Sequence, residues 1–193
     1  MASDLFGHSQ YLIRRKILKI FGGAFHIYDA EGNVVFYSKM KAFKLREDIR
    51  VYTSEEMTEE VLTISARTML DISTVYDVVD SRSGEKVGSI KRQGLRSLLR
   101  DSWLILSPSG QEIGRIEEDS TLMALLRRLL SNLIPQKFHV EMNGSTVCTF
   151  QQNFNPFVLK IVADFSPDTV GLLDRRLGIA AGILLGAVEG RQG

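Results

Sequence analysis

Cysteine is nearly absent: Cys148 stands alone among 193 residues. No intrachain disulfide can form, and a cysteine-based zinc site would lack ligands, so a reducing, cytoplasmic setting fits. Histidine occurs three times, at positions 8, 26 and 139, with no shared ligand spacing. His139 and Glu141 can share one side of a strand, but a pair is not a metal site. Neither sign of charge dominates. The 24 Lys and Arg against 23 Asp and Glu give no reason to expect a nucleic-acid partner, which usually needs a strongly basic domain. Met1–Gln10 has no basic stretch followed by an apolar one, so no secretory signal is read there, and Ala2 excludes myristoylation.

Long apolar runs are missing too. The longest candidate, Leu177–Val188, has twelve residues, about 18 Å of helix against the roughly 30 Å of a hydrocarbon core. No transmembrane segment is expected. Also absent are G-x-S-x-G, G-x-x-x-x-G-K-[ST], a G-x-G-x-x-G after a strand, and H-E-x-x-H. No catalytic residue, metal ligand or cofactor is therefore assigned, and the chain is not expected to be an enzyme. Residues 29–33 (DAEGN) open like a calcium loop, yet their Gly comes too early and Met40 stands where the bidentate Glu belongs, so they read as a turn. Cys148, inside a strand-like run, reads as a small core residue.

What is present is a succession of short runs rich in Val, Ile, Tyr, Phe and Thr, punctuated by Gly, Asn, Asp and Ser. The pattern predicts strands near 12–20, 24–28, 34–37, 49–53, 61–67, 73–80, 86–91, 103–106, 112–117, 138–142, 146–150 and 158–163. Asn143-Gly144 is the strongest hairpin signal among them. Residues 81–90 (SRSGEKVGSI) echo 107–116 (SPSGQEIGRI), and Gly88 and Gly114 fall within the second strand of each unit, where glycine marks a bulge or a close backbone approach. Two helices are predicted between strands, over 95–100 and 121–133; the second presents Leu122, Leu125, Leu126, Leu129 and Leu133 on one face.

The apolar run at 177–188 is too short to span a bilayer and apolar on all sides, so it is expected to be a helix enclosed by protein. Ser166 as N-cap, Pro167 at the first helical position and Asp168 at the positive end of the dipole predict its start. Gly178, Gly182 and Gly186 make one stripe, which suits close pressure from other elements on that face. Many strands together with an all-apolar helix point to a mainly β (α+β) fold, a closed antiparallel barrel of about twelve strands wrapped around the buried C-terminal helix. One domain over residues 1–193 is expected, with residues 1–10 flexible.

Four stretches carry a family likeness: Phe43–Tyr52 (FKLREDIRVY), Tyr76–Asp80 (YDVVD) with Gly84–Gly88 (GEKVG), Gly94–Trp103 (GLRSLLRDSW), and Asp174–Gly186 (DRRLGIAAGILLG). Over nearly its whole length the chain resembles the tubby C-terminal-like superfamily, and within it the LURP-one-related and phospholipid-scramblase-like proteins. The resemblance implies a twelve-stranded barrel around a central C-terminal helix. Tubby-like domains bind phosphoinositide head groups and scramblases move lipids. This sequence departs from the scramblases in lacking a cysteine cluster, a membrane-spanning tail and a proline-rich extension, which counts against scramblase activity. No lipid-contacting residue of the tubby domains is carried over onto this sequence.

The remaining positive feature is basic clustering: Arg14, Arg15, Lys16 and Lys19; Lys39, Lys41, Lys44, Arg46 and Arg50; then Arg92, Arg96 and Arg100. Lys39, Lys41, Lys44 and Arg46 are the candidate site for an anionic lipid head group or phosphate. The same residues also suit solvated strand edges, where lysine guards against aggregation. Expected partners are therefore anionic membrane lipids at a membrane surface or, alternatively, a protein for which the chain acts as a scaffold. An exposed apolar patch near Leu95–Trp103 would favour the second.

Overall fold

The computed structural model describes residues 5–16, 23–40, 48–70, 73–93, 102–119, 136–153, 155 and 157–189. Twelve strands follow one another: β1 (Gln10–Lys16), β2 (Gly23–Tyr28), β3 (Val34–Met40), β4 (Ile49–Tyr52), β5 (Glu60–Leu70), β6 (Ser73–Asp80), β7 (Lys86–Gln93), β8 (Ser102–Leu106), β9 (Glu112–Glu118), β10 (Lys137–Met142), β11 (Ser145–Asn153) and β12 (Val158–Asp164); the helix α1 (Arg175–Glu189) comes after them. Each strand pairs antiparallel with the next, and β1 pairs with β12, so the sheet closes on itself and has no free edge. The expected fold class is the one observed. The predicted helices over 95–100 and 121–133 lie outside the described residues.

Side chains alternate inward and outward along each strand. Tyr11 and Ile13 on β1, Phe25 and Ile27 on β2, Phe36 on β3, Ile90 on β7, Trp103 and Ile105 on β8 and Phe150 on β11 are among the buried residues of a single apolar core. Into that core runs α1, with every residue from Leu177 to Ala187 buried. The glycine stripe is where barrel side chains press hardest. A Cβ at Gly178 would lie 2.3 Å from Phe165, one at Gly182 2.3 Å from Ile13, and one at Gly186 2.9 Å from Phe25.

The expected helix start is corrected. Residues 166–174 form turns, and α1 begins at Arg175. Asp168 is buried and spends its carboxylate on the amides of Leu172 (2.8 Å) and Leu173 (3.0 Å) and on Arg175 Nη1 (3.1 Å), fastening a loop instead of capping a helix. Gly171 has φ +70°, which interrupts any helix through this stretch. Asp174 is the N-cap, its Oδ1 accepting the Arg176 amide at 2.9 Å. Arg176 then reaches Asp80 at the end of β6 (2.7 Å), tying the start of α1 to the barrel wall.

The turns follow their residues. Asn143 and Gly144 have φ of +52° and +75°, both left-handed, as a tight two-residue hairpin requires. The two echoing units are the β6–β7 and β8–β9 hairpins. A Cβ at Gly88 would meet the Leu106 carbonyl at 2.5 Å, and one at Gly114 the Glu141 carbonyl at 2.8 Å, so both are close backbone approaches. Cys148 is buried, and burial pushes its thiol well above the ordinary value, leaving it a core residue.

Candidate functional site

All described connections at one end of the barrel are those where α1 starts: residues 29–33, 53–59, 81–85, 107–111, 143–144 and 165–174. They hold eight acidic residues (Asp29, Glu31, Glu55, Glu56, Glu59, Glu85, Asp168 and Asp174) against one basic residue, Arg82. The strands' other ends lie where α1 finishes. The stretches joining them, 17–22, 41–48, 71–72, 94–101, 119–136 and 154–157, hold in sequence eight basic residues (Lys19, Lys41, Lys44, Arg46, Arg96, Arg100, Arg127 and Arg128) against five acidic ones (Glu47, Asp48, Asp71, Asp101 and Asp119). A nearly neutral chain thus carries an acidic end among its described residues, while the segments that join the strands' other ends are basic in sequence.

Outside the barrel, register assembles a second basic feature. Arg14 on β1 stands opposite Lys160 on β12 and, on its other side, opposite His26 on β2. His26 in turn faces Tyr37 on β3, and Lys39 is two residues further along β3, opposite Ala24. Neighbouring strands lie about 4.8 Å apart, so Arg14 and Lys160 are adjacent like charges, an arrangement that opposes folding unless something compensates. Among the described residues no carboxylate pairs with Arg14, Lys39 or Lys160, and Arg14 Nε is buried without a hydrogen-bond partner.

Most other described cations are matched. Arg50 pairs with Glu60 (2.9 Å), Arg82 with Glu59 (2.6 Å), Lys86 with Asp77 (2.9 Å), Arg115 with Glu112 (2.6 Å) and Lys137 with Asp119 (3.5 Å), while Arg67 also binds Asp77. Lys91, on β7 across the barrel from β1, is a further described cation without such a pair. An aromatic wall borders the basic face on its acidic side. The His26 ring stacks on Tyr28, meets Tyr37 edge-on, and places Nε2 2.9 Å from Glu55 Oε1. Burial, and then the Glu55 charge, push the Tyr37 hydroxyl above its ordinary pKa.

Of the sequence candidates, Lys39 is exposed on this face, while Lys41, Lys44 and Arg46 lie outside the described residues, as do Lys19, Arg96 and Arg100. The Arg14-Arg15 run splits. Arg15 points inward, donates from Nη1 to the Gly186 carbonyl near the end of α1 (3.2 Å) and lies over the Phe25 ring, and burial lowers its pKa. Arg50 is tied up by Glu60, and Arg92 lies over the Trp103 ring. Lys160 escaped sequence reasoning because it stands alone in its strand; the signal was the β1–β12 closure, which places it against Arg14.

Two other polar clusters are accounted for by local structure. His8, Asp29 and Glu31 bring ligand atoms within 4.8 Å of one another, but both Asp29 oxygens hold Asn33, at its amide (2.8 Å) and Nδ2 (2.9 Å), which makes the cluster part of a turn. His139 lies between Asp119 (2.6 Å) and Glu141 (3.6 Å) as a surface ion cluster.

Against this geometry, the LURP-one-related family model matches residues 34–171, most of the chain. The chain belongs to the LURP-one-related family. The matched span runs from β3 to the loop before α1; β1, β2 and α1, which close and fill the barrel, fall outside it. No curated protein and no solved structure matches the chain. Among the described residues, no helix is long and apolar enough to cross a membrane.

Proposed function

We propose that this LURP-one-related chain is a non-enzymatic module that binds anionic phospholipid or phosphoinositide head groups at a membrane surface, through the outer face of β12, β1, β2 and β3. One observation carries the reading: Arg14 and Lys160 face each other across an antiparallel pair with no carboxylate partner among the described residues. A phosphate between them compensates both charges. Lys39 extends the face, and Lys41, Lys44 and Arg46 follow it in sequence. Residues 1–193 act as one domain in this reading, in a reducing, cytoplasmic compartment and peripheral to the membrane.

Co-sedimentation with neutral, anionic and phosphoinositide-containing vesicles tests it at low and physiological salt. Binding is expected with the charged vesicles alone, weakening as salt rises. At about 1 kcal/mol per basic residue near such a surface, Arg14→Ala and Lys160→Ala each weaken binding about fivefold, while Arg82→Ala at the acidic end has no effect. Equal binding by all three variants, or none by the unaltered protein, overturns the reading.

A second reading, a protein scaffold, rests on exposed apolar residues at the acidic end: Val170 is 76% exposed, with Leu172 and Met57 also on the surface. The patch considered near Leu95–Trp103 does not support it, since Trp103 is buried in the barrel and residues 95–101 lie outside the described ones.

A further inference from the structure

At the end where α1 finishes, one large apolar side chain among the described residues faces solvent. Phe157 is 57% exposed, immediately before β12. It is held there: Asn155 Oδ1 accepts the amides of both Phe157 (2.9 Å) and Val158 (3.1 Å), which fixes the turn that presents it. Val158 pairs with Lys16, and Lys160 with Arg14, so Phe157 stands at the rim of the same basic face, about 10 Å along the strand from Lys160 at 3.4 Å per residue. An aromatic side chain bordering basic ones is the arrangement that lies in a headgroup layer, rings among the upper acyl chains and cations on phosphates.

The acidic end exposes more apolar residues, Val34, Met57, Val170 and Leu172. Its eight carboxylates against one arginine turn it away from an anionic surface. Charge thus decides which end approaches, and apolar exposure decides what enters.

We propose that the barrel meets an anionic bilayer with the end opposite its acidic one, Phe157 inserting between head groups while Arg14, Lys39 and Lys160 engage phosphates beside it. This rests on the lipid reading above, and it adds the orientation of the barrel on the bilayer and the side chain that enters it.

Phe157→Trp places a reporter at the rim, with the buried Trp103 as a constant background. The expected result is a blue shift with anionic vesicles and quenching by lipids brominated in the acyl chains. Neither change is expected with neutral vesicles or with soluble inositol hexakisphosphate. Phe157→Ser, altering an exposed side chain, keeps its thermal unfolding midpoint and loses roughly tenfold in vesicle affinity, the scale of burying one such ring. If vesicles bind through Arg14 and Lys160 but the reporter stays silent and Phe157→Ser binds normally, insertion is wrong and the lipid reading stands. Binding of inositol hexakisphosphate with none to vesicles rules out the bilayer as partner. Failure to bind either ligand removes both proposals.

Discussion

Single carboxylates in this barrel act as fasteners, and their titration shows where. Burial raises the Asp80 pKa, but the hydrogen bond from Arg176 and the amides of Ser83 and Arg82 outweigh it, so the carboxyl ends below its ordinary value. A group whose folded pKa is depressed contributes stability that is fully present above its unfolded pKa, about 3.9, and is lost as pH falls through the folded value. Asp80→Asn is therefore expected to destabilise the protein at pH 6, and by progressively less as pH falls below about 4. Urea titrations across that range measure the difference; a gap that stays constant with pH removes Asp80 as a contributor. Asp77 and Glu60, which burial raises but which Arg67, Ser89 and Lys86 and, respectively, Thr63, Ser81 and Arg50 lower by more, titrate in the same direction. The reach of sequence ends at this scale. Arg14 and Arg15 are equivalent as text, and only the pleat sends one to the surface and the other to the Gly186 carbonyl.

At the scale of elements, the strands were legible because period-two alternation and turn residues are written locally: the predicted run at 73–80 and the Asn143-Gly144 hairpin both stand as read. The start of α1 was not legible. Ser166-Pro167-Asp168 carries the right residues for a cap, and the Asp168 carboxylate is drawn instead to amides four and five residues on. For the basic face, half the signal lay in β1 and β3 and the rest in a strand pairing that spans almost the whole chain. Within α1, two effects compete at Gly178. Alanine gains about 1 kcal/mol of helix propensity, whereas crowding a packed core costs about 1–3 kcal/mol. The nearest ring, Phe165, is held edge-on by Tyr11 and covered by Arg175, so it has little room to retreat. Gly178→Ala is expected to lower the melting temperature by a few degrees, at about 2–4 °C per kcal/mol for a chain this size. Gly182→Ala, which meets the flexible tip of Ile13, lowers it less. Differential scanning calorimetry decides; a higher melting temperature for Gly178→Ala refutes the packing account.

For the whole molecule, wall and helix depend on each other. The inner faces of the strands have α1 as their shared partner, and the eleven buried residues from Leu177 to Ala187 have the wall as theirs. A chain ended after Asp174 is expected to lose the near-ultraviolet circular dichroism of the buried Trp103 and to unfold without a cooperative transition; a sharp urea transition in that truncated chain shows that the wall holds without its filling. The closure of β1 on β12 also sets a timetable. A ribosome delivers β1 first and its second neighbour some 150 residues later, with α1 later still, so at about 5–20 residues per second the growing chain spends several seconds with an unpaired strand edge and an uncovered apolar lining. Both are templates for aggregation until the helix arrives. A closed, edgeless protein is thus most vulnerable before it is finished, and the speed of translation through its last third becomes a determinant of yield.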